Sequence, residues 1–238
     1  MTEKIVFHTF VSDDYYEPIG TPKLEKSFKR FHPDIDFIVF RQEIIDSVFA
    51  ENGVHFDNAK PTFAKRLADD YDLVVTIDAD IVITDRLEAV LAEDYDVGAP
   101  IDKNKFCNIT VEDITPDKYI QAGMVASRSK YFWDVWEQAN KESDKYPFQE
   151  QDILNLVFYK DKEILKLRRK VFDLNKDFYG TRSLGREANF EVVDGRLMCE
   201  GERVYLYHNA RGHSLPKLQF DNLGFKQEVI DYLMEISS

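Results

Sequence analysis

Two aspartates, Asp78 and Asp80, stand one residue apart in the run VVTIDADIVI, residues 74–83, whose other side chains are apolar or β-branched. Side chains alternate across a β-strand, so Val75, Ile77, Ala79, Ile81 and Ile83 fall on one face while Val74, Thr76, Asp78, Asp80 and Val82 fall on the other. On a continuous strand the two aspartates project together, their Cα atoms roughly 6.6 Å apart, close enough to converge on one ion. Partly desolvated carboxylates are unfavourable unless something positive lies between them. A hard divalent cation, Mg²⁺ or Mn²⁺, meets that need and keeps positions open for the phosphate oxygens of a ligand. The competing reading is that the strand stops at Ile77 and both aspartates solvate a turn. The apolar flanks, running on to a helix cap at Thr84 and Asp85, favour the metal.

The elements that must position this pair are legible as alternating short β-type and helical runs. Residues 4–11 (KIVFHTFV) read as a strand, 22–31 as a helix, 36–41 as a strand, and 64–71 as part of a helix leading into the aspartate strand. A short helix follows in TDRLEAVLAED, a brief strand in DVGAP, a buried strand over 119–129, and two amphipathic helices in KYFWDVWEQANKE and FQEQDILNLVFYK. Residues 160–205 are poorly periodic and predict irregular structure, before a strand in RVYLYHNA and a final helix in FKQEVIDYLMEI. Strands separated by helices predict an α/β fold with a mixed, mainly parallel sheet flanked by helices. With no repeat or linker in evidence, the expectation is a single domain over residues 1–238.

Of the 238 residues 44% are apolar, enough for a substantial core. Forty-four acidic against thirty-one basic residues give a net charge of −13, which argues against nucleic acid as a partner. A polyanionic ligand would be repelled unless cations gathered locally around it. No run approaches the length of a membrane span, and the opening residues lack a signal-peptide core, so the sequence reads as soluble and cytoplasmic. Cys107 and Cys199 are isolated, without metal-type spacing, and carry no chemistry in this reading.

Four segments, taken in order, carry a resemblance. KRLADDYDLVVTIDADIVITDRLEAVL, QAGMVASRS, EQDILN and YHNARGHSLPK resemble the successive motifs of the GT-A glycosyltransferases, most closely the glycogenin and lipopolysaccharide-galactosyltransferase group. The resemblance implies a Rossmann-like GT-A domain with a nucleotide-binding half over 1–100 and an acceptor-binding half over 101–238. It implies a nucleoside diphosphate sugar donor such as a UDP-hexose, held by Mn²⁺ or Mg²⁺, with Asp78, Asp80 and His208 as protein ligands. Lys217 by similarity reaches the diphosphate and Arg66 the nucleotide, while Thr9, Phe10 and Tyr15 resemble the segment that cradles the base. A metal clamp with cationic side chains would stabilise the charge left on the departing diphosphate. The chain departs from the family pattern at Gln121, where the family has Asn before Ala-Gly, in the longer HNARG spacing, and in the order Pro216-Lys217.

Each candidate has a plainer alternative. His208 sits among aromatics, where histidines are commonly hydrogen-bonded core residues, and His213 competes with it from the same loop. Asp152 lies in the first turn of a helix, where the helix dipole favours a carboxylate regardless of function; functionally it would orient a hydroxyl or serve as general base in an inverting reaction, and Gln151 would approach the anomeric carbon in a retaining one. Gly123 serves close packing or clearance beside a sugar. Phe132, Trp133 and Trp136 at helical spacing read as core, and KLRRK at 166–170 as a solvated face or the border of an anionic acceptor.

The favoured function is thus a metal-dependent hexosyltransferase, with retention favoured by the resemblance, acting on a carbohydrate or other hydroxyl acceptor. Two alternatives stand beside it. TIDADIVI also fits a haloacid-dehalogenase-like phosphatase with Asp78 as nucleophile, although that family places its motif on the first strand. The other is a non-catalytic sugar- or nucleotide-binding module.

Overall fold

The computed structural model describes residues 3–11, 20–52, 59–102, 111–172, 189–208 and 225–238. Its central sheet is built by β1 (Ile5–Phe10), β2 (Asp36–Phe40), β3 (Leu73–Ile77), β5 (Val97–Pro100), β6 (Met124–Ser127) and β7 (Arg169–Phe172). Among the described residues the strand order is β2-β1-β3-β6-β5-β7. β1 runs parallel to β2 and β3, and β5 parallel to β7. β6 is antiparallel to both its neighbours. The sheet is therefore mixed and mainly parallel.

Alternation along the strands sends side chains into two cores. Phe7, Leu73, Val75 and Ile77 pack with Leu24 and Phe28 of α1 (Gly20–Phe31). Val6, Val74 and Val125 pack on the other face, against Ala64 of α3 (Lys60–Leu67), Phe132, Trp133 and Trp136 of α5 (Lys130–Ala139), and Leu154 and Phe158 of α6 (Gln149–Lys160). Both tryptophans are fully buried, as expected. A third cluster joins α7 (Gln227–Ile236) to a small sheet of β8 (Phe190–Val193), β9 (Arg196–Cys199) and β10 (Glu202–Arg203). The remaining α-helices and strands among the described residues are α2 (Gln42–Asn52), α4 (Glu88–Leu91), β4 (Ile81–Ile83) and β11 (Leu206–His208).

Several expectations from the sequence are corrected. The aspartate strand is not continuous: β3 ends at Ile77, the Asp78 N–H donates to the Gly123 carbonyl at 2.9 Å, and the Ile81 N–H closes a turn onto the Asp78 carbonyl at 3.2 Å. β4 then leaves the central sheet and pairs with β11. Thr84 and Asp85 do not cap α4, whose N-cap is Leu87; the Thr84 hydroxyl donates to the Val204 carbonyl instead. The 119–129 strand shrinks to β6 plus a bridge between Ile120 and Ile101. The stretch expected to be irregular supplies β7 to β10. KLRRK is a solvated edge, as expected: Lys166 pairs with Glu163, Arg168 with Asp96 and Lys170 with Asp94, while Arg169 donates to the Phe158 carbonyl. The helix predicted within 64–71 begins at Lys60 and ends at Leu67, Pro61 being tolerated in its first turn.

Candidate functional site

The turn after β3 and the ribbon β4–β11 bring together Asp78, Asp80 and His208. His208 pairs in register with Ile81, the residue following Asp80, so the ribbon delivers the imidazole beside the aspartates. His208 Nε2 lies 3.2 Å from Asp80 Oδ1 and 3.5 Å from Asp78 Oδ2. One ligand atom from each of the three falls within 4.8 Å of the others. Around an octahedral ion with bonds of about 2.1 Å, adjacent donors are about 3.0 Å apart and opposite donors about 4.2 Å. The two distances from His208 Nε2 fall between those values, and two carboxylates with one imidazole make a donor set that a divalent cation can share.

The surroundings of His208 fit coordination too. Gln121 Nε2 lies 3.1 Å from His208 Nδ1, while Gln121 Oε1 is buried with no hydrogen-bond partner among the described residues. An imidazole that binds metal through Nε2 carries its proton on Nδ1, and the two ends of the Gln121 amide need only exchange places for Oε1 to accept it. Gly123 leaves room for this pair. A Cβ there would meet Gln121 Oε1 at 2.5 Å and His208 Cε1 at 2.9 Å. Burial alone would lower the His208 pKa, but the Asp80 and Asp78 carboxylates outweigh it and hold it above the ordinary value.

One cation was not singled out by sequence. Lys60, at the start of α3 and 5% exposed, places Nζ 2.8 Å from Asp78 Oδ1, 2.5 Å from Glu150 Oε1 and 3.1 Å from the Ala122 carbonyl. Burial opposes its charge, yet Asp78 and Glu150 more than compensate, and its pKa rises above that of a free lysine. Asp78 thus divides its two oxygens between Lys60 and the His208 side. Arg66, the expected nucleotide contact, is six residues further along α3, about 240° around the helix from Lys60. It is exposed and lines a separate cavity with Lys65, Asp69, Lys130 and Glu137.

At the head of α6, Gln151 accepts from the Ala122 N–H at 3.2 Å and donates to Asp102 Oδ2 at 3.1 Å. That fixes its side chain between β5 and the Lys60 network. Asp152 is fully buried, its Oδ1 accepting from the Tyr119 hydroxyl at 2.5 Å and its Oδ2 from the Phe148 N–H at 2.9 Å. Oδ2 thereby holds the N-cap residue of α6, and Oδ1 ties the helix to Tyr119. Thr9, 1% exposed, and Phe10, whose ring lies 5.9 Å from that of Phe63, close the carboxyl end of β1. Tyr15, Lys217 and His213 lie outside the described residues.

No protein-family model matches the sequence, and no curated protein matches it either. Solved structures do. The galactosyltransferase LgtC, in complex with donor and acceptor sugar analogs, matches with a TM-score of 0.54 over 98% of this chain and 96% of its own, at 15% identity. The glycosyltransferase GlyE of Streptococcus pneumoniae TIGR4 matches with a TM-score of 0.57 at 14% identity, over 99% of this chain and 60% of its own. The chain has the GT-A glycosyltransferase fold. It spans 39% of the length of the bifunctional WbbM, at 19% identity, a TM-score of 0.49 and 73% of this chain. Within the GT-A fold the carboxylate cluster stands at the carboxyl end of β3, the side of an open α/β sheet where ligands bind. No helix among the described residues is long and apolar enough to cross a membrane.

The sequence held a signal for Lys60 that went unused. Lysine directly before proline at a helix start, followed by Thr-Phe-Ala, places a charge inside an apolar first turn, and such a charge needs a buried counterion. Glu150 and Asp102 carried no comparable mark, because their partners lie 90 and 49 residues away.

Proposed function

We propose that this chain is a metal-dependent glycosyltransferase that moves a hexose from a nucleoside diphosphate sugar, such as a UDP-hexose, to a hydroxyl of a carbohydrate or similar acceptor, with retention of configuration. The observation that carries the reading is the convergence of Asp78, Asp80 and His208 within 4.8 Å at the end of β3 in a GT-A fold. LgtC, which shares the fold, is described with donor and acceptor sugar analogs, and this supports a sugar donor and a sugar acceptor here. A divalent ion on the three side chains would supply Lewis-acid stabilisation of the diphosphate leaving group.

The chain's own residues do the rest. Asp78 and Asp80 present anionic oxygens to the ion, and Gln121 fixes the His208 ring for it. Lys60 offsets one of the charges of Asp78 and Glu150, and the ion would offset the rest, so that a phosphate entering a protein of net charge −13 meets less repulsion there. Gln151, locked between Ala122 and Asp102, is the polar side chain presented toward the transferred sugar, whereas Asp152 holds the helix that carries it. Thr9 and Phe10, at the carboxyl end of β1, would take the base, with Tyr15 and Lys217 contributing on the strength of sequence alone.

The test is nucleotide release from a panel of nucleotide sugars with and without Mn²⁺, alongside Asp80→Asn. Mn²⁺-dependent release that vanishes in the variant, at an unchanged melting temperature, supports the transferase. Full activity in Asp80→Asn would remove the mechanism, phosphate release from a phosphomonoester would point to the phosphatase, and binding without turnover would point to a binding module.

A further inference from the structure

The ribbon that presents His208 is clasped at its far end by groups from three elements. Asp85, just beyond β4 and 8% exposed, receives two donors of the Arg203 guanidinium from β10 on Oδ2 and the Arg86 N–H on Oδ1 at 2.7 Å. Arg203 also lies over the Tyr205 ring, 5.1 Å from its centroid. The Tyr232 hydroxyl of α7 donates to the Thr84 carbonyl at 2.9 Å, and the Thr84 hydroxyl to the Val204 carbonyl at 2.7 Å. On the opposite edge of β4 the Ile83 N–H donates to the Ser27 hydroxyl of α1 at 3.1 Å. The ribbon itself has three residue pairs, Leu206 with Ile83, Tyr207 with Val82 and His208 with Ile81.

In so short a ladder a slip of one residue would turn every side chain to the other face. His208 would then leave the aspartates. The geometry points to Asp85, Arg203 and Tyr232 as positioning residues that lock the β4–β11 register and thereby hold His208 against Asp80, so that they set metal affinity without touching the metal. The inference rests on the proposed metal role of His208, but its structural half, the placement of the imidazole, is measurable without metal.

The experiment compares Arg203→Met, Tyr232→Phe and the charge-swapped pair Asp85→Arg with Arg203→Asp. Tyr232→Phe removes only the hydroxyl and should fold. The His208 ring resonances of the metal-free protein, assigned by their loss in His208→Gln, are expected to move toward those of a solvent-exposed imidazole in both single variants and to return in the swapped pair. The Mn²⁺ dissociation constant is expected to rise about tenfold in Arg203→Met, the size of effect seen when support behind a metal ligand is lost. Unshifted His208 resonances in Tyr232→Phe and Arg203→Met, whatever the melting temperature does, would overturn the clasp. Shifted resonances in a protein that binds no Mn²⁺ even as wild type would uphold the clasp and sink the metal reading instead.

Discussion

Lys60 shows what a single side chain contributes here. Its ammonium is buried among Asp78, Glu150 and the Ala122 carbonyl, so Lys60→Met would leave two carboxylates without their counterion. Removing one member of a buried pair is expected to lower stability by about 3–5 kcal/mol, read as a shift in the urea midpoint; an unchanged midpoint would show the ion pairs to be unimportant to the fold. Gly123→Ala tests the packing behind His208. Its Cβ would meet Gln121 Oε1 and His208 within 3 Å, and overpacking of this kind destabilises by about 1–3 kcal/mol. The accompanying expectation is weaker Mn²⁺ binding, measured by electron paramagnetic resonance, and unchanged binding would detach Gly123 from the site. At this scale the spacing of Asp78 and Asp80 is legible along the chain, the resemblance adds His208 to them, and the three side chains lie together in the fold. The resemblance singled out Arg66 and nothing singled out Lys60, because which face of α3 turns inward depends on where the helix begins.

Elements were legible where a periodic pattern had one face to bury. β1, α1, β2 and the helices bearing Trp133 and Leu154 follow that rule. Trp133 and Trp136 stack with centroids 5.9 Å apart, between the sheet and α6, and Trp133→Ala is expected to lower the unfolding free energy by about 3–5 kcal/mol, again by urea titration; a loss under 1 kcal/mol would show that this core collapses around the gap. The break at Asp78 stood only as the competing reading, since apolar and polar residues go on alternating straight through the turn. β7 was hidden for a different reason: its charged residues look like a surface run until Asp94 and Asp96 are brought beside them. The β8–β9 hairpin did carry a signal. Asp194 and Gly195 take φ of 51° and 71°, the left-handed conformation an Asp-Gly hairpin turn uses, and Glu200 with Gly201 repeats it at 50° and 79°.

Over the whole molecule, acidity and buried histidines set the response to pH. His8 is fully buried, and burial with the nearby Lys60 charge lowers its pKa to about 3. Burial, with Arg86, lowers that of His32 to about 4. Both rings are neutral in the fold and become charged in the unfolded chain below about 6.5. Protons then favour the unfolded state, so this contribution is complete above pH 6.5 and declines as pH falls toward 4 for His32 and toward 3 for His8. Each histidine is expected to remove about 1.4 kcal/mol per pH unit within its window, and the stability of His8→Gln/His32→Gln should fall less steeply between pH 6.5 and 5 than that of wild type. Parallel slopes would count against it. The same molecule gathers one buried ammonium and an imidazole at the end of β3, against a net charge of −13, and the proposed ion completes that local balance. The most direct measurement is the anomalous signal of manganese in crystals soaked with Mn²⁺ and a nucleotide sugar. One peak about 2.1 Å from oxygens of Asp78 and Asp80 and from His208 Nε2, bridging to the donor diphosphate, is the expected result; a peak elsewhere, or none beside a bound donor, would contradict it.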